Sequence, residues 1–330
     1  MKDLHGKKLL LIAPRFFGYE TDIRNEIERR GAQVDWLADR PFDKPWQSAL
    51  ARTAPVLMQP WVNRLYRNQL EQLAATHYDV ILVINGQTLA PEVLAELRTS
   101  FPKAQTVLYM WDSMDNRPGI VQVLQYYDAA FSFDPESASQ YGMTLRPLFF
   151  TCGFEKPFEP IFDYHLSFVG TMHSDRYEVI SLLQSQLEAD IKAYWYLYLQ
   201  APWVYWAYRA VKPAMWHVPK KDFQFKPIEK TKVQEILTRS QAIVDIEHPG
   251  QRGLTMRTFE TMGANKKLIT TNLNVRQYDF FKEENICVID RKKPKISAAF
   301  WNTCYQPPVP EIYHKYSLAG WMDEVLDLQG

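Results

Sequence analysis

The residues best suited to chemistry stand in one run, Ile243–Asn272 (IVDIEHPGQRGLTMRTFETMGANKKLITTN). It reads as a strand, a glycine-containing loop, a helix over Gly253–Asn265 and a further strand. At about 100° per residue, Gly253, Arg257 and Glu260 fall on one helix face. Leu254, Thr258, Phe259 and Met262 fall on the other, which must be the core side. A helix start at Gly253 offers backbone N–H groups and a partial positive charge, and so an anion site. Arg252 and Arg257 add guanidinium donors that match phosphate oxygens. Glu260 lies seven residues on, or ~10 Å along the axis, where a carboxylate can hold a ribose diol. The arrangement suits a nucleoside diphosphate laid along one helix face. The same spacing also describes an ordinary exposed Arg257–Glu260 pair, worth only a few tenths of a kcal/mol.

Other candidates sit where apolar strands end. His248, directly after Glu247, could donate to a phosphate or act as a base, although a lone histidine is also a common structural residue. Asp112, in YMWDSMDN, could take a proton from an acceptor hydroxyl within hydrogen-bond reach, with Asp115 just beyond it. The competing reading is a helix cap by Ser113 or Asp115 before Pro118. Asn85 and Gln87 flank Gly86 in a loop whose amides suit sugar hydroxyls, while Asn-Gly is equally a tight turn. Gly18 permits close substrate approach or makes a plain turn between strand and helix. No HExxH or DxD metal motif stands at a strand end, so no metal and no cofactor is expected.

These positions require elements that bring strand ends together. The first half alternates strand and helix signals: strands at Lys8–Pro14, Gln33–Leu37, Tyr78–Ile84, Thr106–Trp111, Ala129–Phe133 and Thr144–Phe149. Helices are expected from Thr21 to Gly31, within Gln47–Thr76 with interruptions at Pro55 and Pro60, and over Pro91–Arg98. Thr151–Asp163, with two prolines and no periodicity, reads as a linker. The pattern restarts with strands at Tyr164–Val169, Ala242–Ile246, Leu268–Thr271 and Ile286–Ile289, helices at Ser174–Leu187 and Glu229–Arg239, and a last helix at Leu318–Leu328. Ile191–Leu199 fits either type. Apolar strands separated by helices imply α/β domains with doubly wound parallel sheets, with ligands in a cleft at the strand ends.

The run around Glu260 resembles the donor-binding segment of GT-B glycosyltransferases, in particular the spore-maturation-type (CgeB-like) proteins and family-1-like C-terminal domains. Arg257-Thr258-Phe259-Glu260 and Leu268-Ile269-Thr270-Thr271-Asn272 carry the likeness, which is specific over about thirty residues. Ser167-Phe168-Val169-Gly170-Thr171 resembles the first strand of such a donor domain. The resemblance implies a GT-B-like fold of two Rossmann-like domains facing a cleft: 1–155 on the acceptor side, 156–316 binding the nucleotide-sugar donor. A helix over 317–330 would then pack back on the first domain. It also implies that Glu260 binds the ribose, and that Gly253 and its neighbours bind the phosphates, with Gly170, Arg176 and His173 after the first strand. Asp112 becomes the base of an inverting reaction, and the acceptor is a saccharide of surface polysaccharide or lipopolysaccharide assembly. Retaining members often carry a second Glu eight positions before the ribose Glu; here Arg252 stands there, with Glu247 nearby, leaving the stereochemistry open. A nucleotide-sugar epimerase or a non-catalytic binding protein of the same architecture are the alternatives.

The chain's 330 residues suit two domains. With 38 basic and 38 acidic residues it has no formal net charge, which argues against a dedicated nucleic-acid partner. Three scattered cysteines, Cys152, Cys287 and Cys304, suggest neither a zinc site nor a disulfide framework and fit a cytoplasmic location. No GxGxxG follows either first strand, which disfavours a dehydrogenase. Tyr194–Trp216 holds nine Tyr and Trp residues and is followed by Lys220, Lys221, Lys226, Lys230 and Lys232. Such a stretch suits a peripheral position on the inner face of an anionic membrane, useful for a lipid-linked acceptor. Lacking a clear amphipathic period, it is better read as core or pocket lining.

Overall fold

The apolar runs of the first half become strands β1 (Lys8–Ala13), β2 (Gln33–Ala38), β3 (Val80–Ile84), β4 (Gln105–Met110), β5 (Ala129–Ser132) and β6 (Thr144–Leu145). They pair in parallel in the order β2-β1-β3-β4-β5-β6. β1, β3 and β4 are buried along almost their whole length, as strands covered on both faces must be. Helices α1 (Tyr19–Arg29), α2 (Pro55–Leu73), α3 (Pro91–Ser100) and α4 (Pro135–Tyr141) connect them. Gly31 ends α1 of necessity: its φ is 90°, and a Cβ there would lie 3.1 Å from the His5 backbone. α2 continues through Pro60 rather than breaking there. The computed structural model describes residues 3–40, 55–212 and 215–327, so the part of the expected helix at 47–54 lies outside the described residues.

The second sheet contains β7 (Tyr164–Thr171), β8 (Ala193–Tyr198), β9 (Phe223–Gln224), β10 (Ser240–Asp245), β11 (Lys267–Thr270) and β12 (Ile286–Val288). It is also parallel, in the order β12-β11-β10-β7-β8-β9. Its helices are α5 (Arg176–Ser185), α6 (Pro202–Val211), α7 (Lys230–Thr238), α8 (Met256–Gly263), α9 (Ala298–Asn302) and α10 (Pro310–Lys315), and the chain closes with α11 (Leu318–Val325). The ambiguous Ile191–Leu199 stretch is strand β8, in keeping with the strand preference of its tyrosines and tryptophan.

The chain gathers into two units, Met1–Leu148 with Leu318–Gly330, and Phe149–Ser317. Residues 149–155 thus go with the second unit. There the Phe150 N–H donates to the Tyr316 carbonyl at 3.0 Å, and Phe150 forms a parallel bridge with Ser317. Each unit has its own core, one around Leu10, Ile81, Leu94 and Leu108 and the other around Leu166, Ile180, Leu183 and Val244. Two six-stranded parallel sheets with interleaved helices make the architecture α/β, with two Rossmann-like units. In each sheet the strand order reverses once, between β1 and β3 and between β7 and β10. Those reversals are where open α/β sheets place ligands.

Candidate functional site

In the second unit the reversal point is built on Asp245, the last residue of β10, which is almost fully buried. Its Oδ2 accepts hydrogen bonds from the Thr255 hydroxyl at 2.6 Å and the Thr258 hydroxyl at 2.8 Å. Thr255 is also the N-cap of α8, accepting from the Thr258 N–H. The helix therefore starts at Met256, not at Gly253 as the sequence suggests. The reason is chemical: a threonine hydroxyl can cap a helix and bond a carboxylate together, whereas glycine has no side chain for either. Gly253 lies buried in the loop, its carbonyl accepting from Gln251 and Asn272 side chains. The positive end of the helix dipole is accordingly at Thr255–Arg257.

Arg257 and Glu260 meet on this helix, Nη1 to Oε2 at 2.6 Å. The pair is not the exposed one that spacing alone allows, since Glu260 is only 3% exposed. Arg257 also donates to the Val169 carbonyl of β7 at 3.3 Å. Arg176, at the start of α5, donates to the carbonyls of Thr171 and Ile246 at 2.9 and 2.6 Å, tying the loops after β7 and β10 together. Burial pushes the Arg176 guanidinium below its ordinary value, with Asp245 opposing that shift. Gly170 makes room for this: a Cβ there would lie 2.9 Å from the Phe168 ring and 3.5 Å from the Arg176 guanidinium.

A second network involves residues that sequence reading missed. Arg291, just past β12, donates to both carboxylate oxygens of Asp175 and to the carbonyl and carboxylate of Glu247. The Thr271 hydroxyl donates to the other Glu247 oxygen. Burial raises the Glu247 carboxyl above its ordinary value, against the lowering effect of the Thr271 and Arg291 bonds. Asn272 and Asn274 donate to the Arg252 carbonyl, holding down the loop on which Arg252 itself is exposed. His173 and His248 stack with ring centroids 5.8 Å apart, and burial together with Arg176 and His248 lowers the His173 imidazole to about 4.

The structure thus brings Gly170, His173, Arg176, Glu247, His248, Arg252, Gly253, Arg257 and Glu260 to the strand ends of one unit, around the reversal between β7 and β10. Asp245, Thr255, Asp175 and Arg291 complete it. Asp245 had a sequence signal, a carboxylate closing an apolar strand. Arg291 and Asp175 had none, being 116 residues apart.

The other candidates belong to the first unit. Gly18 is the N-terminal boundary of α1 with φ 75°, in the loop after β1. Asn85, with φ 64°, follows β3, and its side-chain oxygen accepts from the Trp111 N–H at 3.1 Å. The exposed Gln87 sits over Asp39, a buried carboxylate that accepts from the Gln87 and Thr88 N–H groups. Asp112 accepts from the Ser113 N–H and the Asn116 amide and pairs with Arg117 at 2.9 Å; Asp115 is exposed, and Ser113 caps the short turn that contains it. Beside them stands an aromatic group not foreseen from sequence. Phe16 and Phe17 are exposed on the loop after β1, and Phe16 lies 5.8 Å from Trp111. Among the described residues, no group of three or more His, Cys, Asp or Glu side chains is arranged to hold a metal ion.

No protein-family profile matches the sequence, and no curated protein matches it. The fold, however, is shared with solved structures. HepE of Anabaena in complex with UDP-glucose superposes with a TM-score of 0.60 at 9% identity, over 96% of this chain and 98% of that one. A glycosyltransferase from Rickettsia africae gives 0.60 at 11% identity, over 98% and 99%. The N-terminal domain of trehalose-6-phosphate phosphatase from Candida albicans gives 0.56 at 9%, over 96% and 98%. At these identities the likeness is one of fold, and the fold is GT-B-like.

Proposed function

We propose that the chain is a glycosyltransferase, moving a sugar from a nucleotide-sugar donor to a carbohydrate acceptor in surface polysaccharide or lipopolysaccharide assembly. The observation that carries this reading is the Arg257–Glu260 pair, its carboxylate buried, on a helix that starts at the reversal point of the second sheet. The UDP-glucose held by a protein of the same fold, HepE, supports it.

In this reading the donor diphosphate lies at the start of α8. Arg252 and Arg257 stabilise the charge that develops on the departing phosphate, so a metal is not required. Glu260 takes the ribose hydroxyls, its carboxylate held in place by the ion pair with Arg257. Gly170, His173, Arg176, Glu247 and Gly253 shape the loops around the phosphates, and His248 donates to them. The acceptor saccharide lies on the first unit, stacked on Phe16 and Trp111, with Gly18, Asn85, Gln87 and Asp115 at its edges. An acceptor hydroxyl attacks the anomeric carbon, the bond to phosphate breaks, and the nucleoside diphosphate leaves. In an inverting reaction Asp112 takes the hydroxyl proton.

A thermal-shift panel of UDP, GDP, TDP, CMP and ADP tests the reading. A ligand bound only by the folded state at a hundredfold excess over Kd adds ~2.7 kcal/mol. A shift with one nucleotide that disappears in Glu260→Ala is expected. No shift with any nucleotide or nucleotide sugar would refute it. Conversion of a nucleotide sugar without acceptor, followed by NMR, would indicate an epimerase instead.

A further inference from the structure

The core uses only part of the aromatic stretch Tyr194–Trp216. In α6, Val204 and Tyr205 are buried, and the Tyr205 hydroxyl donates to the Val218 carbonyl at 2.8 Å. Trp203 and Trp206 are 70% and 55% exposed, and Trp216, beyond the helix, is 52% exposed. Trp203, Trp206, Ala207 and Ala210 are all exposed and stand at i, i+3, i+4 and i+7, the spacing of a single helix face. Single exposed apolar residues are ordinary, but a continuous stripe of them marks a docking surface. The helix is thus apolar on its packed face and again on the face turned to water.

Charge indicates what covers the stripe. Residues 200–226 carry five basic side chains, Arg209, Lys212, Lys220, Lys221 and Lys226, against one acidic side chain, Asp222, in a chain with no net charge. Asp222 accepts from the Tyr177 hydroxyl at 3.2 Å. Arg209 lies 5.8 Å from the centre of the Trp206 ring, and Lys220 and Lys221 are exposed. Protein–protein interface cores are depleted in lysine, whereas tryptophan bordered by lysine and arginine matches the headgroup region of an anionic bilayer.

We propose that α6 and residues 216–221 beyond it dock on an anionic lipid surface, with Trp203, Trp206 and Trp216 in the interface and Arg209, Lys220 and Lys221 at the lipid phosphates. The helix lies in the membrane plane. Among the described residues, no helix is long and apolar enough to cross a membrane. Lys212, at the end of α6, donates to the Ser174 carbonyl at 3.1 Å, so the docked helix is joined to the loop after β7. The proposal does not depend on the transfer reaction.

The test is flotation of the full chain, without nucleotide, with phosphatidylglycerol-containing vesicles and with pure phosphatidylcholine vesicles. Wild-type protein should float with the former and be released by salt, and brominated lipid should quench its tryptophan emission. Trp203→Ser/Trp206→Ser and Lys220→Glu/Lys221→Glu should each weaken binding at least ~10-fold. Both change exposed residues, so circular dichroism and Tm should match wild type. Three results would overturn the proposal: no flotation of wild type, equal binding to phosphatidylcholine, or full binding by the tryptophan variant. A wild-type oligomer that the tryptophan variant dissociates, with no vesicle binding, would make the stripe a contact between copies and overturn it too.

Discussion

Glu260 sits 3% exposed against a guanidinium that keeps 20% of its own side chain in solvent. That asymmetry leaves part of the Arg257 guanidinium open to solvent while it pairs with Glu260. Glu260→Gln keeps the shape and removes the charge, so nucleotide affinity measured by calorimetry should fall at least ~10-fold, the worth of a charged hydrogen bond, with the circular dichroism spectrum unchanged. Equal affinity in wild type and variant would remove Glu260 from the site. His173 gives a pH prediction. Its imidazole is lowered to about 4 by burial, then by Arg176 and His248, while unfolded histidine titrates near the ordinary 6.5. Between those values the unfolded state binds the extra proton, so stability rises with pH across the window and is lost as pH falls through it. Wild type should therefore lose more Tm than His173→Asn on going from pH 7 to pH 4 in matched buffers; parallel losses would contradict the lowered imidazole.

Elements show where the sequence was legible and where it was not. Strands such as β1 and β3 are visible because a strand buried on both faces is an almost uninterrupted apolar run. The start of α8 is not legible in the sequence because its cap is decided by a tertiary contact, the Thr255 hydroxyl reaching Asp245 ten residues earlier. The role of Arg291 is not legible in the sequence because it joins Asp175 and Glu247 from the far end of the sheet, a contact that no local pattern encodes. The exposed stripe of α6 was obscured because the same stretch also supplies core rings and a strand. The cap makes its own prediction. Thr255→Ala removes both the cap and a bond to buried Asp245, and should cost ~1–2 kcal/mol in urea unfolding. Thr255→Ser, which retains the hydroxyl, should recover most of that loss; failure of serine to do so would mean the methyl group, not the hydroxyl, is what matters.

Over the whole molecule, the chain's end completes its beginning. α11 belongs to the first unit although the second unit's residues separate them in sequence. Trp321 is fully buried and meets Tyr109 of β4 edge to face, with centroids 4.8 Å apart. Arg30, whose side chain has no exposure, donates to Asp323 and to the Ala319 carbonyl, both at 2.7 Å. A buried guanidinium deprived of such partners is strongly destabilising, so the last helix is a structural requirement of the first unit rather than a trailing segment. Trp321→Ala empties the largest fully buried side-chain site among the described residues and should cost ~3–5 kcal/mol, the range for such truncations in a packed core. Trp321→Phe, which refills most of the volume, should cost clearly less. Urea unfolding of both variants, followed by far-ultraviolet circular dichroism, decides the point: a midpoint unmoved by Trp321→Ala would mean that α11 is dispensable to the first unit's core.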